Sequence, residues 1–252
     1  MKWKQPLGPA AFIAFLLVWW QVELSRQAVH PLPTPLQVLA GLTELIAKGL
    51  LLKYVVASLF RVTWGYVTAA LLAIPLGLAI GWYKRSEMAF NPWIQVFRPI
   101  SPLAWIPISI LWFGVGDISA IFLIFLATFF PLLVTGINAV SNIPEVYVNA
   151  GRNFGLRNAR LVYHVLYPAV VPQLIVGMRI ALGIAWLVVV AAEMIAANSG
   201  LGFLIVDARN AGNRYDLVVA GMVMIGVIGF LLDIGMRSFE TIPSVRWGYS
   251  ED

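Results

Sequence analysis

Four stretches of this chain, residues 5–22, 62–83, 99–116 and 118–144, contain no Asp, Glu, Lys or Arg, and the longest runs for 27 residues. An α-helix rises about 1.5 Å per residue, so about 20 such residues cross the apolar layer of a bilayer. The chain is 60% hydrophobic and 12% charged, roughly half the charge of an ordinary soluble domain. Membrane β-strands need short segments that alternate polar and apolar residues, and these runs do not alternate. The sequence therefore predicts an all-α, polytopic transmembrane helical bundle, a single domain over residues 1–252.

About six spans are expected, over residues 9–24, 54–83, 92–113, 118–140, 170–195 and 217–237. The first resembles a secretory signal, but no small-residue cleavage site follows it. Trp19 and Trp20 suit an interfacial belt, so the segment is expected to be retained. Trp82, Trp93 and Trp112 also fall near expected interfaces. The third span contains Pro99, Pro102 and Pro107; neighbouring helices can satisfy the freed carbonyls, and a kinked or partly unwound span is expected. Within residues 31–52, Leu36, Val38, Leu39, Leu42, Leu45 and Ile46 recur at helical spacing against Gln37, Thr43, Glu44 and Lys48. That pattern predicts an amphipathic helix on the membrane surface, with a soluble partner-docking helix as the alternative. Ala73, Gly77 and Gly81, spaced by four, suit close helix packing within the chain, or else a seam between two copies.

The absence of cysteine excludes disulfides, thiol catalysis and cysteine metal sites. His30 and His164 stand alone, without a metal or catalytic cluster, and are expected to be structural or exposed. No catalytic residue, metal site or nucleic-acid partner is expected. The net charge of +5 bears first on orientation, because loops rich in Lys and Arg stay inside. With the N-terminus inside, the inner segments hold nine cations: Lys2, Lys4, Lys84, Arg85, Arg152, Arg157, Arg160, Arg237 and Arg246. The outer segments hold five: Arg26, Lys48, Lys53, Arg209 and Arg214. Both termini and residues 144–168 are thus expected on the cytoplasmic side.

Residues 144–168 form a polar, Arg-bearing break between two apolar segments. Pro144 and Glu145 suit a first helical turn, since proline has no amide to satisfy and a carboxylate meets the positive end of the helix dipole. The helix is expected to end near Phe154, with Gly155 as a left-handed cap. A second helix is expected from Asn158 to Tyr167, stopped by Pro168. The apolar tip, Phe154 and Leu156, flanked by Arg152 and Arg157, is suited to seating in a groove on another protein.

This segment resembles the motif by which membrane subunits of bacterial ATP-binding-cassette importers engage their ATPases: Glu-Ala-Ala, then Gly, an aliphatic residue and Leu-Pro. Asn149, Ala150 and Gly151 stand where Glu-Ala-Ala would be; Gly155 matches the glycine, Val165 the aliphatic and Tyr167-Pro168 the Leu-Pro. The triplet is degenerate, but the spacing holds. The run LPTPLQVL, SLFRV at 58–62, RPISPLAWIPISILWFGVG at 98–116, residues 177–203 and Asp207-Ala208-Arg209 resemble the nitrate/sulfonate/taurine/bicarbonate branch. The resemblance implies a type I importer permease fold in a bacterial inner membrane, working as a homodimer. Two cytoplasmic ATPase subunits, which bind the ATP and Mg, are implied, as is a periplasmic or lipoprotein binding protein. The implied cargo is a small oxyanion: sulfonate or taurine first, nitrate or bicarbonate second. The chain itself has no Gly-x-x-x-x-Gly-Lys-Ser/Thr loop, so it lacks that phosphate cradle.

Four residues are candidates for the translocation path: Arg98, Trp105, Arg179 and Glu193. A charge at membrane depth is costly unless paired or wet, so Arg179 either lines an anion path or fixes helix packing through an ion pair. Glu193 lies 14 residues further on, about 21 Å along the helix; a clamp between helices near the outer face is its expected role. Arg98 is expected to snorkel to the inner interface rather than gate the path. Arg61 is expected at the outer rim or in packing, and Asp233 is expected to meet Arg237 four residues on. Gly200-Leu201-Gly202 is expected to turn the chain beneath a docking protein. The rival function, an ion-coupled secondary transporter, needs a midplane carboxylate relay, for which only Glu193 and Asp233 are candidates.

Overall fold

The computed structural model describes residues 7–26 and 32–240; the expectations for Lys2, Lys4, His30, Arg246 and both chain ends fall outside them. The described residues form helices and connecting turns: α1 Leu7–Ser25, α2 Pro35–Ala47, α3 Leu50–Trp82, α4 Lys84–Phe97, α5 Ile106–Phe113, α6 Asp117–Ser141, α7 Glu145–Asn153, α8 Ala159–Ala196, α9 Leu201–Asn210 and α10 Tyr215–Glu240. α3, α6, α8 and α10 are long and apolar enough to cross a membrane. A broken pair, α4 with residues 102–113, gives at most a fifth crossing. Among the described residues that is fewer than the expected six; within α1 the apolar stretch is Ala14–Ser25, shorter than a span.

The expected third span is not one helix. It bends by 76° between α4 and the turn that leads into α5. Pro99 and Pro102 lack amide donors, which removes two ladder bonds where the helix breaks at residues 98–101. A short 3₁₀ turn at Pro102–Trp105 restarts the helix, with Pro107 in its tolerant first turn.

α3 and α6 form the centre of the bundle. Ala69 and Ala73 are fully buried. A Cβ on Gly77 would lie 2.5 Å from the Leu133 carbonyl oxygen, and one on Gly81 2.6 Å from that of Ile137. The small-residue stripe of α3 is thus an intrachain seam, where bare backbones approach closely enough for extensive van der Waals contact. α8 packs on α6, where any side chain at Gly177 would overlap Thr135. It meets α10 through Trp186, which lies over Gly229 and donates its indole N–H to the Ile225 carbonyl (3.0 Å). Leu52, Leu71, Leu111, Leu187 and Phe230 point outward and are exposed, the pattern of a bundle whose solvent is lipid.

α2 begins with a reciprocal capping box between Thr34 and Gln37. Of its apolar residues, Val38 and Leu45 are buried, while Leu36, Leu39 and Ile46 are exposed. It rests on the start of α10, where Gly41 faces the Asp216 backbone. Arg214 ties it down, donating to Glu44 (2.6 Å) and to Asp216 (2.7 Å).

Candidate functional site

Residues 144–168 sit at one end of the bundle. Pro144 caps α7, and Glu145 occupies its first turn. α7 ends as its residues dictate: the Leu156 N–H donates to the Gly151 carbonyl (3.0 Å), and the Gly155 N–H to that of Arg152 (2.9 Å). Gly155 adopts φ +80°, which favours glycine. This double closure turns the chain sharply back on itself.

Gly151 is the pivot of the hairpin. It is buried, and a Cβ there would lie 2.8 Å from Leu161 Cδ1 and 2.9 Å from Val165 Cγ2. Substitution of the motif's second alanine by glycine lets α7 lie closer to α8. Asn149, Ala150, Arg152 and Arg157 are all exposed. Phe154 is 87% exposed at the tip, an unusual placement for a large apolar ring. Leu156 does not join it; it folds back, half-buried, against the cluster of Leu161 and Val165. The apolar tip is therefore one ring rather than two side chains.

Pro168 does not end a helix. α8 runs on through it, with a π-helical segment at Val162–Leu166 immediately before. Proline deprives the carbonyl four residues back of its donor and crowds it; widening the helix over the preceding turn relieves both. Pro168 itself is exposed. His164 is exposed as expected, its Nδ1 3.0 Å from the Arg160 carbonyl.

The four candidate path residues separate. Arg98 and Trp105 line one cleft of about 400 Å³, with Phe130, Pro131, Ile184 and Val188. It opens where the broken third span leaves α6 and α8. The Arg98 side chain is exposed and has no hydrogen-bond or ion-pair partner among the described residues. Arg179 and Glu193 lie elsewhere. Arg179 takes the ion-pair role, bonding Asp233 (2.6 and 3.2 Å) and Glu240 (3.1 Å) of α10. Asp233 also meets Arg237 at 3.0 Å, as its spacing predicts.

Glu193 is completely buried, at the bundle end opposite residues 144–168. Arg61, 1% exposed, spends all five of its N–H donors beside it. Nη1 reaches Glu193 Oε1 (2.7 Å) and the Ser199 carbonyl (2.6 Å). Nη2 reaches Asp117 Oδ1 (2.6 Å) and Ser199 Oγ (2.6 Å), and Nε reaches Asp117 Oδ1 (2.8 Å). Ser58 Oγ (2.9 Å) and the Gly202 N–H (3.0 Å) complete the shell of Glu193. Gly200, at φ +104°, wraps the carboxylate so closely that any side chain there would overlap it. One cluster thus joins α3, α6, α8 and the turn into α9. A clamp between helices is the expected role of Glu193, but its partners are not legible in the sequence. Ser58 and Arg61, three apart on one helix face, are the signal that points to a shared target.

On the same side, Glu44 lies outside the spans. The Arg214 guanidinium, then the Lys48 ammonium, hold its carboxyl at about 2, below the ordinary 4.5. Asp216 and Glu44 in turn raise Arg214 above its usual range.

Comparison with known proteins matches residues 73–241 to the family described as binding-protein-dependent transport system inner membrane component. The taurine transport system permease protein TauC of Escherichia coli (strain K12) is 34% identical over 95% of this chain and 91% of its own length. The nitrate import permease protein NrtB of Synechocystis sp. (strain PCC 6803) is 37% identical over 94% of this chain and 88% of its own. The putative aliphatic sulfonates transport permease protein SsuC of Bacillus subtilis (strain 168) is 34% identical over 94% and 85%. Among solved structures, a chain of the inward-facing MetNI methionine ABC transporter superposes with a TM-score of 0.67 at 18% identity, covering 75% of this chain and 94% of that one. That likeness establishes the fold.

Proposed function

The chain belongs to the binding-protein-dependent transport inner membrane components, and on that premise we propose that it forms, as a homodimer, the translocation path of an importer for a small oxyanion. A sulfonate such as taurine is the first choice and nitrate or bicarbonate the second, following the relatives' names. Two ATPase subunits on the cytoplasmic side hold ATP and Mg and dock on residues 144–168. A binding protein delivers cargo to the opposite end, and both chain termini face the cytoplasm.

The observation that carries the docking assignment is Phe154: one ring, 87% exposed, on a helix closed by two cap bonds and flanked by exposed Arg152 and Arg157. An aromatic anchor with an Arg beside it is the composition of an interface hot spot. Closure of the ATPases would displace α7, and Gly151, wedged on Leu161 and Val165, would pass that displacement into α8. The cleft of Arg98 and Trp105 suits the path: it is mainly apolar, with one cation to attract an anion. Arg179 and Glu193 act on it only through helix packing. Their carboxylate partnerships also speak against a proton relay, since Glu193 and Asp233 each already face an arginine.

Phe154→Asp tests the docking. Because the ring is exposed, the variant should insert and melt like the natural chain, yet lose co-purifying ATPase and ATP-dependent uptake. Unchanged co-purification would remove Phe154 and its helix from the docking site.

A further inference from the structure

We infer a built-in site for a single membrane phospholipid with a primary-ammonium headgroup, of the phosphatidylethanolamine class, in the corner between the end of α3, the end of α6 and α7. Two cavities share Trp82 and Val140 as walls. One, of about 510 Å³, is polar, lined among others by Lys84, Glu87, Glu145, Asn149 and Arg152. The other, of about 230 Å³, is lined entirely by aliphatic and aromatic side chains, including Leu78, Val162, Leu166 and Val170. A polar chamber adjoining an apolar groove, with Trp82 and Val140 lining both, matches a molecule with a charged head and a hydrocarbon tail. The pair lies where the spans α3 and α6 end, with Trp82 and Tyr83 at the level where aromatic rings sit between headgroups and acyl chains.

The charges choose the headgroup. Lys84 and Arg152 supply two cations for a phosphate, and Glu87 and Glu145 supply two carboxylates for an ammonium. The lining is neutral overall, so an anionic head would leave both carboxylates facing it unpaired. A primary ammonium donates hydrogen bonds to those carboxylates and to the Asn149 carbonyl, which a trimethylated one cannot. Lys84 and Arg85 also open α4 at its positive dipole end, where cations are locally unfavourable; a phosphate beside Lys84 resolves that conflict. Lys84 is 82% exposed and only loosely held by Glu87 (3.7 Å), free to turn toward a ligand. A lipid seated here would tie α7 to the α3–α4 corner and steady the hairpin that receives the ATPase. That consequence rests on the proposed function, whereas the binding does not.

The test uses the full chain, reconstituted in bilayers of equal parts phosphatidylethanolamine, phosphatidylcholine and phosphatidylglycerol, released gently and weighed by native mass spectrometry. One retained phosphatidylethanolamine per chain is expected, enriched several-fold over the other two lipids. Lys84→Gln and Glu87→Gln should each reduce retention about fivefold, since each removes one charge-assisted contact. Their own pairing is long (3.7 Å) and Lys84 is exposed, so neither variant should misfold; unchanged melting confirms that. Enrichment of phosphatidylglycerol, or loss with Lys84→Gln but not with Glu87→Gln, overturns the headgroup assignment. Equal retention of all three lipids, or retention indifferent to both substitutions, reduces the corner to ordinary lipid-facing surface. Because the readout is lipid on the permease alone, it fails independently of ATPase docking.

Discussion

Arg61→Met removes five hydrogen bonds from one guanidinium but should cost far more than their simple loss of contact. Glu193 has no exposed surface, while Asp117 is 57% exposed. Without Arg61, Asp117 can hydrate, but Glu193 keeps only Ser58 and the Gly202 amide. Breaking a buried pair by deleting one partner costs about 3–5 kcal/mol, because the other charge is stranded. For a chain of this length that corresponds to a fall in melting temperature of roughly 6–20 °C, at about 2–4 °C per kcal/mol.

The companion variant separates this cause from packing. In Arg61→Met/Glu193→Gln the stranded charge is gone, and the amide can still accept from Ser58 and Gly202 in the same place. Replacing both partners of a buried pair by uncharged groups of similar shape is often near neutral. The double variant should therefore melt well above the single one, a coupling of about 1–3 kcal/mol in the mutant cycle. Thermal unfolding of the purified chain in detergent, followed by circular dichroism, measures all four corners. If Arg61→Met melts within about 2 °C of the natural chain, or the double variant melts below the single, the clamp is not held together by charge and the reasoning is refuted.

Gly77→Val should destabilise the bundle by about 1–3 kcal/mol or more, since even its Cβ would meet the Leu133 carbonyl at 2.5 Å; the same melting assay checks it, and an unchanged melt would mean α3 and α6 can separate freely. Arg98→Gln should leave stability within about 0.5 kcal/mol, as expected of an exposed, unpaired side chain, yet lower anion uptake in vesicles; normal uptake would take the cleft out of the path. The folded value of Glu44 lies below its ordinary 4.5, so its contribution is complete above that pH and fades as pH falls toward about 2. The stability gap between the natural chain and Glu44→Gln should accordingly be constant from pH 7 to 5 and close on further acidification; a gap that persists at the lowest pH would show that the contact with Arg214 is not electrostatic.

The features legible in the sequence were those governed by local rules. Apolar length located α3, α6, α8 and α10, two of them through fully uncharged runs, because a bilayer demands length and apolarity of each span separately. The cap of α7 was legible because a left-handed residue wants glycine, and Gly155 supplies it. Pro99 and Pro102 announced a disturbance in the third span, though not its 76° turn, which depends on what α4 rests against. Pro168 misled for the same reason: whether a proline stops a helix or is absorbed by a π-segment depends on the packing of Leu161, Leu166 and Val170 behind it. Leu156 was drawn inward by that same cluster.

Charge partners were beyond reach. Arg61 meets Asp117, 56 residues away, and Glu193, 132 away, and Arg179 meets Asp233 across 54. A sequence states that a charge in an apolar run must be neutralised, because burying it alone is prohibitive. It does not state by what, since the answer is a matter of which helix faces lie together. The amino-acid order alone determined the solvent, the helices and the hairpin's turn, each an exchange between a residue and its immediate neighbours or the lipid. Tertiary packing alone decided which groups clamp Glu193, that Arg179 is ion-paired to α10, and that Arg98 and Trp105 share an open cleft, because function here turns on what faces what across tens of residues of intervening chain.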